Sequence, residues 1–351
     1  MVKKAQPLFA TQSCCIYKVP HEIRQSNEDA YTPVLVSIGP FHHGNPRLVT
    51  MEAHKQVYCQ HFIQRSEASL KDLVSCVQQL EPQIRACYSE KIDLTADELV
   101  KVIFIDCCFV IEFFLRDEWV INDVIFSKPW MGARVMYDLI LLENQVPLFV
   151  IDKIYNLAFN GLLPPAASSS IAHFTDLLRY FYLPPSHRIR SRNHELLVPV
   201  HGASELAEAG LKFMVDKFSE GCMLDLKYEY GILKIPPILL LEDWTEICLR
   251  NILALEHCHY PQEHYVFDFV HFISQLINTA KDVDTLVKNR IINNQLGDNK
   301  NVAELFRGLK RNIVVTSYNA NYLGISQELD ACYEHPWHKS LILMHWWSKS
   351  F

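Results

Sequence analysis

Apolar residues recur at helical spacing through much of the chain. The spacing predicts a helix over 51–66 with Val57, Cys59, Phe62 and Ile63 on its apolar side, and another over 68–88 carrying Leu70, Leu73, Val74, Val77 and Leu80, bent or restarted at Pro82. Thr95 is the expected N-cap of a third helix, with Glu98 at the capping-box position, running to about Arg116. That helix is apolar nearly all round, which marks it as the central, buried one. Ser127 and Pro129 announce a helix to about Asn144, and Pro147 reopens helix toward Phe159.

Residues 161–202 break the pattern with Pro- and Ser-rich stretches around one apolar segment, 171–182, and read as an exposed connection. Beyond a short helix at 204–209, the period falls to two: Leu224, Leu226, Tyr228 and Tyr230 alternate with Asp225, Lys227 and Glu229, and Gly231 separates them from 232–235. This is a β-hairpin signature, to which 211–215 is expected to add a third strand. Helices resume over 245–258, 265–279, 283–292 and 302–313, with Asp282 and Asn299 as caps of the last two. The expected fold is mainly α, a large helical bundle-like core with a small antiparallel hairpin sheet in the C-terminal half. Its expected divisions are 14–160, the connection 161–202, 203–315, and an atypical tail 316–351.

Composition narrows this picture. A chain of 351 residues with 49% hydrophobic and 21% charged residues is globular. Its net charge of −7 and scattered basic residues give no nucleic-acid footprint; the densest basic stretch, 187–192, reads as a solvated loop. Eleven cysteines, an odd number with no Cys-x-x-Cys, read as buried thiols. No secretory signal, glycosylation sequon or apolar run long enough to span a bilayer occurs, so a cytoplasmic location is expected.

Candidate chemistry centres on residues 30–44, where Pro33, Gly39, Pro40 and Gly44 punctuate a short extended run and place His42 and His43 in a held loop. Together with Glu52 and His54 they form a candidate His/acid site for a hydrolase or transferase, against a structural reading in which the histidines hold the loop. Asp106 and Glu112 lie in the most apolar helix and must be paired or protonated. Being about 120° apart around it, they form no glycosidase-like pair. Glu112 and Arg116 are expected to pair at i, i+4, and Asp106 to anchor a backbone amide or an arginine such as Arg24. Asp138, Glu143, Asn144 and Gln145 flank a helix break whose orphan groups suit their side chains. A metal cluster from His257, Cys258, His259, His264 and His271 lacks zinc-type spacing, as does the set His335, His338 and His345, whose neighbours Trp337, Trp346 and Trp347 read as a sticky end. No phosphate-binding or dinucleotide loop and no nucleophile elbow occurs, so no cofactor or metal is expected.

Several segments together resemble the plant family called domain of unknown function 247. They are 19–24 (Val-Pro-His-Glu-Ile-Arg), 30–44, 51–55 (Met-Glu-Ala-His-Lys), 106–112 (Asp-Cys-Cys-Phe-Val-Ile-Glu) and 138–147. In the second half the resemblance continues through 203–206, 231–237, Arg250-Asn251 and 277–283. The resemblance implies a mainly helical protein without an established reaction. It also implies membrane association through a C-terminal anchor and a link, in grasses, to self-incompatibility. The chain departs from that pattern over 338–351, which lacks the apolar span, as in a truncated or alternatively spliced form. The expected function is therefore non-catalytic recognition of a protein partner in plants, with the His/acid enzyme and a membrane-tethered scaffold as alternatives.

Overall fold

A computed structural model describes residues 13–116, 123–161, 171–184, 191–195, 199–216, 222–236 and 239–334. The tail from His335 onward, the Pro/Ser-rich stretch 162–170 and most of the basic stretch, 185–190, lie outside the described residues. The chain divides into two compact units, 1–178 and 179–351.

In the first unit, a one-turn helix α1 (His21–Arg24) and a 3₁₀ turn (Glu28–Tyr31) precede the long helices α2 (Val49–Arg65), α3 (Leu70–Ala86) and α4 (Ala96–Leu115). They are followed by α5 (Pro129–Leu139), α6 (Leu148–Ala158) and α7 (Phe174–Tyr182), which runs into the second unit. The capping box at Thr95 and Glu98 forms as expected, and α4 packs against α2, α3 and α6 as the buried centre of the unit. Pro82 sits inside α3 without breaking it. α5 stops at Leu139, five residues short of the expected Asn144. Its last carbonyls are taken by side chains: Asn144 Nδ2 donates to Asp138 O, Gln145 Nε2 to Leu139 O and Leu141 O, and Thr175 Oγ1 to Ile140 O. Helix ends need such partners, and here they arrive early.

The second unit holds β1 (Arg192–Asn193), α8 (Ala203–Glu208), β2 (Lys212–Val215), β3 (Lys227–Glu229), β4 (Ile232–Ile235) and β5 (Leu239–Leu241). Then come α9 (Asp243–His259), α10 (Tyr265–Leu276), α11 (Ala280–Lys288), β6 (Ile292–Asn294), α12 (Asn299–Leu309), β7 (Tyr318–Asn319) and α13 (Ala320–Glu334). The hairpin β3–β4 turns through Tyr230 and Gly231, both at positive φ, as a two-residue hairpin turn of its twist requires. The expected third strand, β2, joins β4 in parallel, so the sheet is mixed. Two-stranded pairs β5–β6 and β1–β7 and helix α13 were not legible in the sequence.

Two cap assignments shift. Thr279, not Asp282, is the N-cap of α11, and Asp298, not Asn299, caps α12. Asp282 is the third residue of the α11 capping box and also accepts Ser204 N–H and its hydroxyl, so one carboxylate secures the starts of both α8 and α11. All eleven cysteines are free thiols, nine of them buried. Among the described residues no helix is long and apolar enough to cross a membrane.

Candidate functional site

The extended run 34–38 pairs with no strand, so its buried backbone must be satisfied otherwise. Four side chains do this. Asp138 accepts Val34 N–H through Oδ1 at 3.1 Å, and Leu35 and Val36 N–H through Oδ2 at 2.7 and 2.8 Å. Asn144 accepts Ile38 N–H and donates to Val36 O. Asp106 accepts Gly39 N–H at 2.8 Å, and Lys55 Nζ donates to Ser37 O. Gly39 stands at φ +74°, and a Cβ there would lie 2.2 Å from Gln145 O, so only glycine fits. Tyr88 hydroxyl donates to that same carbonyl.

Asp106 pairs with Lys55, at 2.5 Å and 1% exposed, rather than with Arg24. Burial pushes the Asp106 carboxyl up, an effect that Lys55 and the Gly39 amide oppose. Lys55, despite its own desolvation, is held charged by Asp106 and Glu52. Sequence reasoning missed Lys55, although its signal was there: it falls in phase with Met51, Tyr58 and Phe62 on the buried face of α2.

Arg24 instead reaches Glu143, the second hub. Glu143 accepts Val19 N–H at 2.9 Å and Arg24 Nη1 at 2.8 Å, with Lys18 Nζ at 3.2 Å and His42 Nε2 at 3.3 Å. Burial works to raise the Glu143 carboxyl, but His42, Lys18, Arg24 and the amide outweigh it and hold it below the usual glutamate range. Lys18, which also lies over the Phe41 ring, was a second omission. A third cluster joins Arg116 to Glu112 and to Asp123; Arg65 also meets Glu112 and the Tyr58 ring lies under Arg116.

The proposed His/acid set does not assemble. His42 meets Glu143, whereas His43 is exposed, Glu52 pairs with Lys55, and His54 joins none of these ion pairs. In the second unit, His264 bonds Pro261 O and His271 stacks on Phe267, so the five-residue metal set does not converge. Among the described residues one group of metal-ligand types does: His201, Asp330 and Glu334, on the surface, with His201 also bonded toward Glu205 and stacked on Tyr333.

Comparisons place the chain among plant proteins. The UPF0481 protein At3g47200 of Arabidopsis thaliana is 29% identical over 381 aligned positions, covering 93% of this chain and 79% of that protein. The putative UPF0481 protein At3g02645 of the same plant is 35% identical over 144 positions, covering 39% of this chain and 26% of the relative. No solved structure matches. The model of domain of unknown function 247, described as a plant protein of unknown function, matches residues 16–351. With the family pattern spanning nearly its whole length, the chain belongs to the plant family domain of unknown function 247.

Proposed function

We propose that this protein acts by binding, as a recognition protein for a protein partner, and carries out no reaction at its motif residues. The observation that supports this is the saturation of those residues. Asp106, Asp138 and Asn144 are consumed by main-chain groups of 34–39, leaving little capacity for a substrate. Partner recognition in signalling, including self-recognition at pollination, and tethering of a longer form to a membrane are parts of the same reading that the family resemblance motivates. The stretch 161–202 is the proposed recognition surface, since connections on a rigid scaffold commonly carry binding.

The test is capture of partners by cross-linking in plant tissue, comparing the full chain with one lacking 162–170. Loss of a partner on deletion, with Tm unchanged, is the expected result. Retention of every partner by the deleted form counts against the surface. One contact favours a second reading: His42 and Glu143 have the spacing of a base and its orienting carboxylate. A hydrolase or transferase turnover abolished by His42→Asn at unchanged Tm would establish it.

A further inference from the structure

The second unit contains a cavity of about 270 Å³ that none of the family motifs explains. Its floor is laid by α9, α10 and α12, where Leu249, Val266, Phe269, Val270 and Phe306 are all nearly or fully buried. Its rim is aromatic: Phe181 and Tyr182 from the end of α7 and Trp244 from the start of α9, with Phe181 69% exposed. The side chains that form the floor are thus held by packing, while Phe181 at the mouth faces solvent.

No lining residue among the described residues carries a charge. A charged ligand group would therefore be desolvated without a counter-ion, which is strongly unfavourable. The polar groups are few and neutral. Trp244 Nε1 is engaged by Glu242, and the Thr245 hydroxyl accepts the Glu242 N–H. Burial pushes the Tyr182 pKa up to about 12, so its hydroxyl stays neutral. An apolar cavity of roughly 150 Å³ already accommodates a benzene ring and stays dry. This larger one has room for about two fused rings or a medium-length alkyl chain, and left unfilled it costs stability in proportion to its volume.

We propose that this cavity is a binding site for a neutral, largely apolar small molecule of about that size. Aromatic walls favour a flat ring system, whose faces and edges they can meet. The site stands apart from the motif clasp of the first unit and goes beyond the proposed protein recognition, so either can fail alone.

Titration of the full chain with N-phenyl-1-naphthylamine, a neutral probe whose two fused rings match the cavity and whose phenyl ring meets the aromatic rim, tests it. Saturable one-site fluorescence enhancement is expected, with energy transfer from Trp244 and a Tm that rises with probe concentration. Val270→Trp and Leu249→Phe, which fill the floor, should each weaken binding at least tenfold without lowering Tm by more than a few degrees. 1-Anilinonaphthalene-8-sulfonate, the same ring system carrying an added anionic sulfonate, should bind at least tenfold more weakly than the neutral probe. Absence of saturable binding to the folded chain overturns the proposal, as does undiminished binding to whichever filled variant folds. Equal affinity for the sulfonate overturns its restriction to neutral ligands.

Discussion

Gly39 and Lys55 show how single residues fix the region around His42. At Gly39, both the positive φ and the carbonyl of Gln145 exclude a side chain, so Gly39→Ala must displace main chain at the centre of the clasp. A loss of about 3 kcal/mol or more is expected in denaturant unfolding, in line with a steric and conformational penalty combined. Lys55→Met leaves Asp106 buried without its cation, a change that costs about 3–5 kcal/mol, whereas replacing both partners by apolar residues of similar volume should recover much of the loss. A double-mutant cycle measures this, and additive effects of the two substitutions would refute the pairing. Glu143 carries a pH signature. Its folded pKa is depressed, so its contribution is present above the unfolded value near about 4.3 and is lost as pH falls through the still lower folded value. Between pH 6 and 3, Tm of the wild type should fall more steeply than that of Glu143→Gln; parallel curves would remove Glu143 from the account of acid stability.

At the scale of elements, α10 concentrates opposing titrations. Burial lowers His264 and His271 to about 4, with Arg192 adding to the effect on His264 and Lys310 to that on His271. Burial raises Asp268 to about 7 even though Arg192 pairs with it at 2.8 Å. The depressed histidines contribute stability above their unfolded value of about 6.5 and lose it as pH falls toward 4. Asp268 has the reverse sense, its contribution present at low pH and lost as pH rises through about 7. Asp268→Asn should therefore steepen the loss of stability on acidification from pH 7 to 4, and His271→Gln should flatten it; thermal melts across that range decide both signs. Elements were legible where one signal ruled them. The Thr95 capping box and the alternation through Tyr230 gave α4 and the hairpin almost to the residue. The end of α5 was not legible, because it depends on Asn144, Gln145 and Thr175 reaching back to its carbonyls, and periodicity says nothing of that. Strand pairs of two or three residues, such as β5–β6, leave too short an alternating trace to read.

For the whole molecule, the division of labour is between a motif-rich first unit and a second unit with its own apolar cavity. The motif residues were recognisable in sequence as buried polar groups, but their partners were not, since Asp138 with Val34–Val36 and Glu143 with Val19 and Arg24 join positions more than a hundred residues apart. Together they clasp the segment 34–39, and Asn144 sits at the middle of the clasp, fully buried and bonded to Ile38 N–H, Val36 O and Asp138 O. Removing it strands two buried main-chain groups, Ile38 N–H and Val36 O, at about 1–3 kcal/mol each, while Asp138 O keeps the Leu141 amide. The direct measurement is the thermal unfolding of Asn144→Ala against wild type at neutral pH. With roughly 2–4 °C of Tm lost per kcal/mol in a domain of this size, a drop of about 8 °C or more is expected. An unchanged Tm would contradict the clasp and return these residues to the search for a reaction.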